Sequence, residues 1–162
     1  MATLPQLIEE DIAALDAALQ ELLSNTDASS ALVIDKGGFL ITQRGDTNKL
    51  DTTTIAALAA ASYAATQGIA SLVDEPDFSS IYQQGGRFSL LIQNVDQYSL
   101  LTVVFKANAS VGAVKYYAMD TIKKVSVQMH AAHSREPGAG LDLSILNMAD
   151  PAPLFQKKSK SA

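Results

Sequence analysis

The spacing of apolar residues divides the chain into three helical and five extended segments. A helix of about 20 residues is predicted near the start of the chain, where Thr3 and Gln6 have the spacing of a capping box. Its apolar residues recur with a period close to 3.6, as in an amphipathic helix; they are Ile8, Ile12, Leu15, Leu19, Leu22 and Leu23. The third helix is predicted to begin after its N-cap, Ser110, and to fade near His133.

Five strands are predicted from short apolar runs that are bounded by turn residues. The runs at 31–35 and 98–105 are nearly all apolar, which favours the middle of a sheet. The runs at 39–44 and 78–84 are more polar and are placed at the edges, and 87–95 alternates. The predicted fold is therefore α+β: a five-stranded antiparallel sheet in the order 2-1-5-4-3. The long second helix is expected on one face, and the first and third helices on the other.

The second helix is predicted from Thr52 to Val73 and carries two stripes. One stripe is expected to cover the sheet; it consists of Ile55, Leu58, Ser62, Thr66, Ile69 and Val73. The other is a row of small residues that would let a second helix approach closely; it consists of Ala57, Ala61, Ala64 and Gly68. Because Ala is also the best helix former, helix propensity alone explains the same residues equally well.

The predicted domain covers residues 1–133, and residues 134–162 are predicted to form a flexible C-terminal tail. The tail contains a short apolar island, which includes Leu143, Ile145 and Leu146. Islands of this kind dock on a partner or fold back onto their own domain, and the pattern does not choose between the two.

Composition excludes several classes of protein. With 48% hydrophobic residues the chain is too apolar to be disordered, and without Cys it has neither disulfides nor thiolate metal sites. A net charge of -5 argues against general nucleic-acid binding. No apolar run reaches the length of a membrane span, and the start lacks the pattern of a signal peptide. We therefore expect a cytoplasmic protein without membrane insertion.

The charge is unevenly distributed along the chain. Residues 1–35 contain seven acidic residues and no Lys or Arg, whereas residues 106–162 contain eight basic and four acidic residues. The acidic and basic ends either meet in the fold or form separate surfaces.

No arrangement of residues typical of catalysis or cofactor binding is found in the sequence. His130 and His133 lie in the last turns of the third helix, where imidazole near the negative end of the helix dipole has a structural explanation. No phosphate-binding G-x-x-x-x-G-K-[ST] motif occurs. We therefore expect no catalytic residue, no cofactor and no metal site.

The element order, together with three stretches of sequence, resembles the roadblock/dynein-light-chain family, most closely its bacterial MglB-like regulators of Ras-like GTPases. The stretches are the apolar hairpin at 31–41, the Ala-rich second helix, and Gly86-Arg87-Phe88-Ser89-Leu90 leading into 98–105. The resemblance covers roughly residues 4–130.

The resemblance implies a homodimer in which the second strands of two subunits pair and the second helices lie side by side. The implied dimer contacts are Phe39, Ile41, Gln43, Ala57, Ala61, Ala64 and Gly68. It further implies a non-catalytic platform that binds a small Ras-like GTPase and acts as its activator, or else a scaffold subunit without effect on GTP hydrolysis. The residues expected to contact the partner are Thr53, Ala60, Gln67, Ser71, Leu143, Ile145 and Leu146.

Overall fold

The computed structural model describes residues 4–135, which form three helices and five strands. The predicted tail from residue 136 onward, with Leu143, Ile145 and Leu146, lies outside the described residues. The elements are α1 (Glu9–Asn25), β1 (Ala28–Asp35), β2 (Leu40–Gly45), α2 (Thr52–Leu72), β3 (Ser80–Gln84), β4 (Phe88–Asn94), β5 (Ser99–Lys106) and α3 (Val111–His133). This order confirms the predicted sequence of elements.

The five strands form one antiparallel sheet in the order β2-β1-β5-β4-β3, as predicted. The two apolar strands β1 and β5 are neighbours in the middle, where Leu32 lies opposite Thr102. The pairing of β1 with β2 is interrupted by a bulge after Val33, which leaves Ile41 as an extra residue on β2.

Side chains alternate between the two faces of the sheet, and each face has its own core. On one face Ala31 and Val33 pack with α1 and α3, together with the fully buried Leu19 and Phe105. On the other face Leu32 packs under α2. The second helix therefore lies on one face and the first and third helices on the other, as predicted.

The predicted start of α1 was wrong by about one and a half turns. The helix begins at Glu9, and residues 4–8 are not helical. The backbone N–H of Ile8 donates to the carboxylate of Asp11 over 2.9 Å, so Asp11 caps the helix from inside its first turn. The buried Asp11, rather than a capping box at Thr3, fixes where α1 begins.

The predicted assignment of the sheet-facing side of α2 was also wrong. The residues that are buried against the sheet are mostly alanines; they are Ala56, Ala59, Ala60, Tyr63 and Ala70. Three members of the stripe expected there, Leu58, Ile69 and Val73, are exposed instead. Because α2 is apolar on every side, periodicity did not decide its orientation, and the small residues let the helix lie close to the strands.

Candidate dimer and partner interface

Strand β2 forms one edge of the sheet. It pairs with β1 along one side, and within residues 4–135 no strand pairs with its other side. Ile41 and Gln43 are half-buried, and the Oε1 atom of Gln43 is buried without a hydrogen-bond donor. Phe39, in the turn before β2, is 63% exposed. A strand edge of this kind, without Pro, offers its free backbone groups to another strand.

The charged residue of β2 is directed away from α2. Arg44 forms an ion pair with Asp16 of α1, and the hydroxyl of Thr42 donates to the same carboxylate. These contacts lie on the face that β2 shares with α1. They leave the α2 side of the edge strand without a charged side chain, which suits association of two apolar faces.

The outward side of α2 is apolar and uncharged. All four members of the small-residue stripe are exposed, and larger apolar residues lie beside them. Leu72 has the most exposed side chain among them, at 83%. We call this surface the α2 platform; it consists of Ala57, Leu58, Ala61, Ala64, Gly68, Ile69 and Leu72. An apolar patch of this extent marks an interaction surface.

Helix α2 is also exceptional in hydropathy. Among residues 4–135 it is the one helix whose length and composition would suit a membrane span, with a mean hydropathy of 1.3. In the fold its inner side covers the sheet, and the α2 platform remains open. This distribution is what a helix needs when it has a core on one side and a protein partner on the other.

The four residues of α2 that were expected to contact a partner fall into two groups. Thr53 and Ser71 are exposed. Ala60 is only 5% exposed and faces the sheet, so it does not belong to the open surface. Gln67 is half-buried: its side-chain amide donates to the carbonyl of Phe78 over 2.8 Å and accepts from the N–H of Phe78 over 3.2 Å. Gln67 therefore fastens α2 to the segment that leads into β3.

The turn between β1 and β2 touches α2 directly. Gly38 has a positive φ of 99°, and a Cβ atom built on it would lie 3.3 Å from the Cα atom of Ala57. Glycine is required for both reasons, since a side chain would be strained and would press on the helix. The contact joins the exposed Phe39 and the α2 platform into one continuous surface.

A polar cluster fixes the middle of α2 against the end of the sheet. The hydroxyl of Tyr63 donates to Asp77 over 3.3 Å, and the ammonium of Lys36 lies 5.3 Å from the centre of the Tyr63 ring. Burial raises the pKa of Tyr63 to about 12, and the charge of Asp77 adds to the effect. Burial lowers the pKa of Lys36, against the opposing charges of Asp96 and Asp77. Tyr63 therefore stays neutral at physiological pH and acts as an anchor.

A second polar cluster, which the sequence did not predict, joins the two helices on the opposite face. The buried carboxylate of Asp11 accepts from both guanidinium N–H groups of Arg135, at 2.8 and 3.0 Å, and from the amide of Gln128 at 2.6 Å. These bonds, Arg135 first, hold the pKa of Asp11 well below its usual range, although burial opposes them. The residues are more than 100 positions apart, so no local pattern could have indicated the contact.

One of the two histidines of α3, His133, makes structural contacts. The Nδ1 atom of His133 lies 2.7 Å from the carbonyl oxygen of Met129, and its ring stacks on Tyr98 with a centroid distance of 3.9 Å. Within residues 4–135 no group of three or more His, Cys, Asp or Glu side chains could hold a metal ion. The features that stand out in the described fold are thus the β2 edge and the α2 platform, which are suited to binding.

Comparisons with known proteins agree with the geometry of the fold. The model of the Roadblock/LC7 domain matches residues 14–105, more than half of the chain. The chain is similar to MglB of Myxococcus xanthus, with 27% identity and a TM-score of 0.74 over 81% of this chain and 98% of that one. No curated protein matches the sequence.

Two further solved structures are equally similar. The gliding protein MglB from Thermus thermophilus has 27% identity and a TM-score of 0.75, over 82% of this chain and all of its own. A structure described as MglB with tetrameric arrangement has 27% identity and a TM-score of 0.76, over 82% of this chain and 99% of that one. The likeness extends over nearly the whole of each relative.

Proposed function

Since the chain belongs to the Roadblock/LC7 family, we propose that it is a homodimeric, non-catalytic platform that binds and regulates a small Ras-like GTPase in the cytoplasm. The observation that carries the proposal is the continuous apolar surface made by the β2 edge, Phe39 and the α2 platform. A monomer that exposed this surface to water would leave Leu72, Ile69 and Leu58 without contacts. The similarity to MglB, a member of a GTPase-regulating family, supports the choice of partner.

The proposed dimer pairs β2 with β2 of a second subunit, so that two sheets become one. This pairing would satisfy the free backbone groups of the edge and enclose Gln43. It would also bring the two α2 helices side by side, where Ala57, Ala61, Ala64 and Gly68 permit a close approach. We call the paired β2 strands and the adjoining α2 helices the dimer seam. Residues of the α2 platform that lie outside this seam, together with Thr53 and Ser71, would then face the GTPase.

The dimer is tested by placing charges in the seam. Ile41→Lys combined with Ala61→Glu should yield monomers, because the lysine and the glutamate would have to be desolvated between two apolar surfaces. The mass in solution is measured by light scattering at low protein concentration. A matched control, Gln83→Lys with Gln84→Glu, introduces the same two charges on exposed positions of β3 at the other edge. A dimer mass that is unchanged in the first variant would refute the proposed seam.

The proposed mode of GTPase activation uses no arginine from α2. The helix contains neither Arg nor Lys, and Arg44 of the neighbouring strand is held by Asp16. An arginine finger must reach the transferred phosphoryl group, which α2 offers no side chain to do. Activation would therefore come from positioning the catalytic groups of the GTPase itself.

The alternative function is that of a scaffold subunit without effect on hydrolysis, because an apolar platform can hold a GTPase without changing its rate. The GTPase is captured from native lysate with the immobilised full chain, with and without a non-hydrolysable GTP analogue. Single-turnover GTP hydrolysis is then compared with and without the chain. Faster hydrolysis supports regulation, and stable binding at an unchanged rate favours the scaffold. If no P-loop GTPase is captured under either condition, the proposed partner class is wrong.

The apolar island that contains Leu143, Ile145 and Leu146 is proposed as an additional contact with the GTPase. Support comes from the sequence, since three apolar side chains lie close together in an otherwise polar stretch. Deletion of residues 138–162 should weaken GTPase binding and leave the dimer mass equal to that of two shortened chains. Equal affinity of the full and shortened chains would remove the island from the interface.

A further inference from the structure

The face formed by α1 and α3 lies on the other side of the sheet from the α2 platform, so the proposed dimer seam does not use it. Of the four large apolar side chains that helix α3 exposes, three are more than half exposed: Tyr116, Met119 and Val127, the last at 71%. Their spacing of three and eight residues places them on one stripe of the helix. Large apolar groups that share a stripe and are more than half exposed indicate an interaction surface.

A groove runs between α1 and α3 beside this stripe. It has a volume of about 530 Å³, and Val127 lines it together with three small residues of α1, which are Ala14, Ala17 and Ala18. The rim is charged, with Glu21 on one side and Lys123 and Lys124 on the other. The face therefore presents projecting apolar groups next to a shallow apolar depression.

The charges of the face divide between its two helices. The exposed charged residues of α1 are all acidic: Glu9, Glu10 and Glu21. The surface of α3 carries Lys115, Lys123 and Lys124 with one acid, Asp120. Within the chain, Lys124 forms ion pairs with Glu21 and Asp120, at 2.5 and 2.8 Å. These pairs account for only part of the charge on the two helices. The remaining charges therefore suit a second copy that is placed so that its α3 meets α1.

We propose that the α1–α3 face is a second self-association surface, through which one copy of the chain binds another copy. Helix α1 of one copy lies against α3 of the other, so that Tyr116, Met119 and Val127 enter the groove lined by alanines. This arrangement opposes acids to lysines, whereas packing α1 on α1 would oppose acids to acids. The proposal takes the β2 dimer of the proposed function as the unit that associates.

The size of the face predicts a weak contact. With a rise of 1.5 Å per residue, α1 is about 25 Å long, and two helices side by side are roughly 20 Å wide. The footprint is then about 500 Å² per copy, below the roughly 800 Å² of a standard stable interface. The association should therefore depend on protein concentration, with dimers at low concentration and larger assemblies at high concentration.

The test is sedimentation equilibrium of the full chain over a wide range of protein concentrations. For the wild type the average mass should rise above that of two chains. Val127→Glu and Met119→Glu, tested separately, should each keep the average mass at two chains. Each should weaken the association of dimers at least about tenfold, because the new glutamate lies against the acidic α1 of the other copy. Both positions are exposed, so the fold is retained, which circular dichroism verifies. Gln84→Glu, an exposed position on β3, is the control of equal charge and should behave as the wild type.

The two self-association surfaces are distinguished by combining variants. Ile41→Lys with Ala61→Glu should be monomeric at low protein concentration and should form pairs through the weaker α1–α3 face only at high concentration. Adding Val127→Glu should give single chains at every concentration. If the wild type forms pairs that Val127→Glu dissociates and that Ile41→Lys with Ala61→Glu does not, the proposed β2 pairing is wrong and the α1–α3 contact is supported. The proposal is overturned if the wild type has the mass of two chains at every concentration and Ile41→Lys with Ala61→Glu has the mass of one chain at every concentration. The α1–α3 face would then belong to a different protein or to residues 136–162.

Discussion

The buried carboxylate of Asp11 allows a quantitative test of what joins α1 to α3. In Asp11→Ala the N–H of Ile8 loses its acceptor, and Gln128 and Arg135 lose theirs. We expect the free energy of unfolding to fall by about 2.5–3 kcal/mol. Loss of the helix cap accounts for about 1 kcal/mol and loss of hydrogen bonds to a buried charge for about 1.5–3 kcal/mol. The value stays near the lower end because Arg135 is one quarter exposed and keeps its hydrogen bond to the carbonyl of Gln6.

The same carboxylate predicts how stability depends on pH. Its pKa is lower in the folded chain than in the unfolded one, where an Asp titrates near 3.9. Its stabilising contribution is therefore complete above about pH 4 and is lost as the pH falls below that, because the unfolded chain takes up the proton first. Asp11→Ala should accordingly show a shallower loss of stability between about pH 4 and pH 2 than the wild type.

Urea unfolding followed by circular dichroism measures both effects. The matched control is Asp16→Ala on the same helix, which removes the other Asp–Arg pair of α1. Arg44 in that pair is about half exposed, so we expect a cost below about 1 kcal/mol. The reasoning fails if Asp11→Ala unfolds within about 0.5 kcal/mol of the wild type, or if Asp16→Ala costs as much.

Two further substitutions test the packing on the two faces of the sheet. Gly38→Ala should lower the free energy of unfolding by at least about 1 kcal/mol, because Gly38 has a positive φ and lies against Ala57. The control Gly86→Ala should change it by less than about 0.5 kcal/mol, because no heavy atom lies within 4 Å of the added Cβ. Thermal or urea unfolding measures both. Leu19→Ala, at a fully buried position, should cost about 2–5 kcal/mol, against less than about 0.5 kcal/mol for the exposed Leu4→Ala. Equal effects within either pair would contradict the description of the core.

The order of elements and strands could be predicted because the strands differ in composition. The continuous apolar runs of β1 and β5 permit only the middle of the sheet, and the polar β3 permits only an edge. The turn residues between the strands separate them clearly. The exposure of Ala61 and Gly68 also agreed with their spacing, since small residues at i, i+4, i+7 and i+11 share one side of a helix.

Other features could not be predicted because they depend on the tertiary structure. Helix α2 is apolar all round, so the pattern placed Leu58 on the sheet and Ala60 on the surface, while the structure does the reverse. The contact between Asp11 and Arg135 spans almost the whole described chain. The sequence placed Asp11 in the first helix and Arg135 in the predicted tail, so it gave no reason to bring them together. The uneven charge along the chain acquired a partial explanation only when α1 and α3 were found side by side.

Because α2 rests on the sheet mainly through methyl groups, its position depends little on interlocking side chains. A row of alanines has shallow ridges, so it resists sliding along the strands less than a row of leucines would. The register of the helix is therefore set by a few directional contacts, above all those of Tyr63 with Asp77 and of Gln67 with Phe78. A ligand that loosens these contacts could shift the helix as a rigid rod. Through Gly38, such a shift would be transmitted to the edge strand.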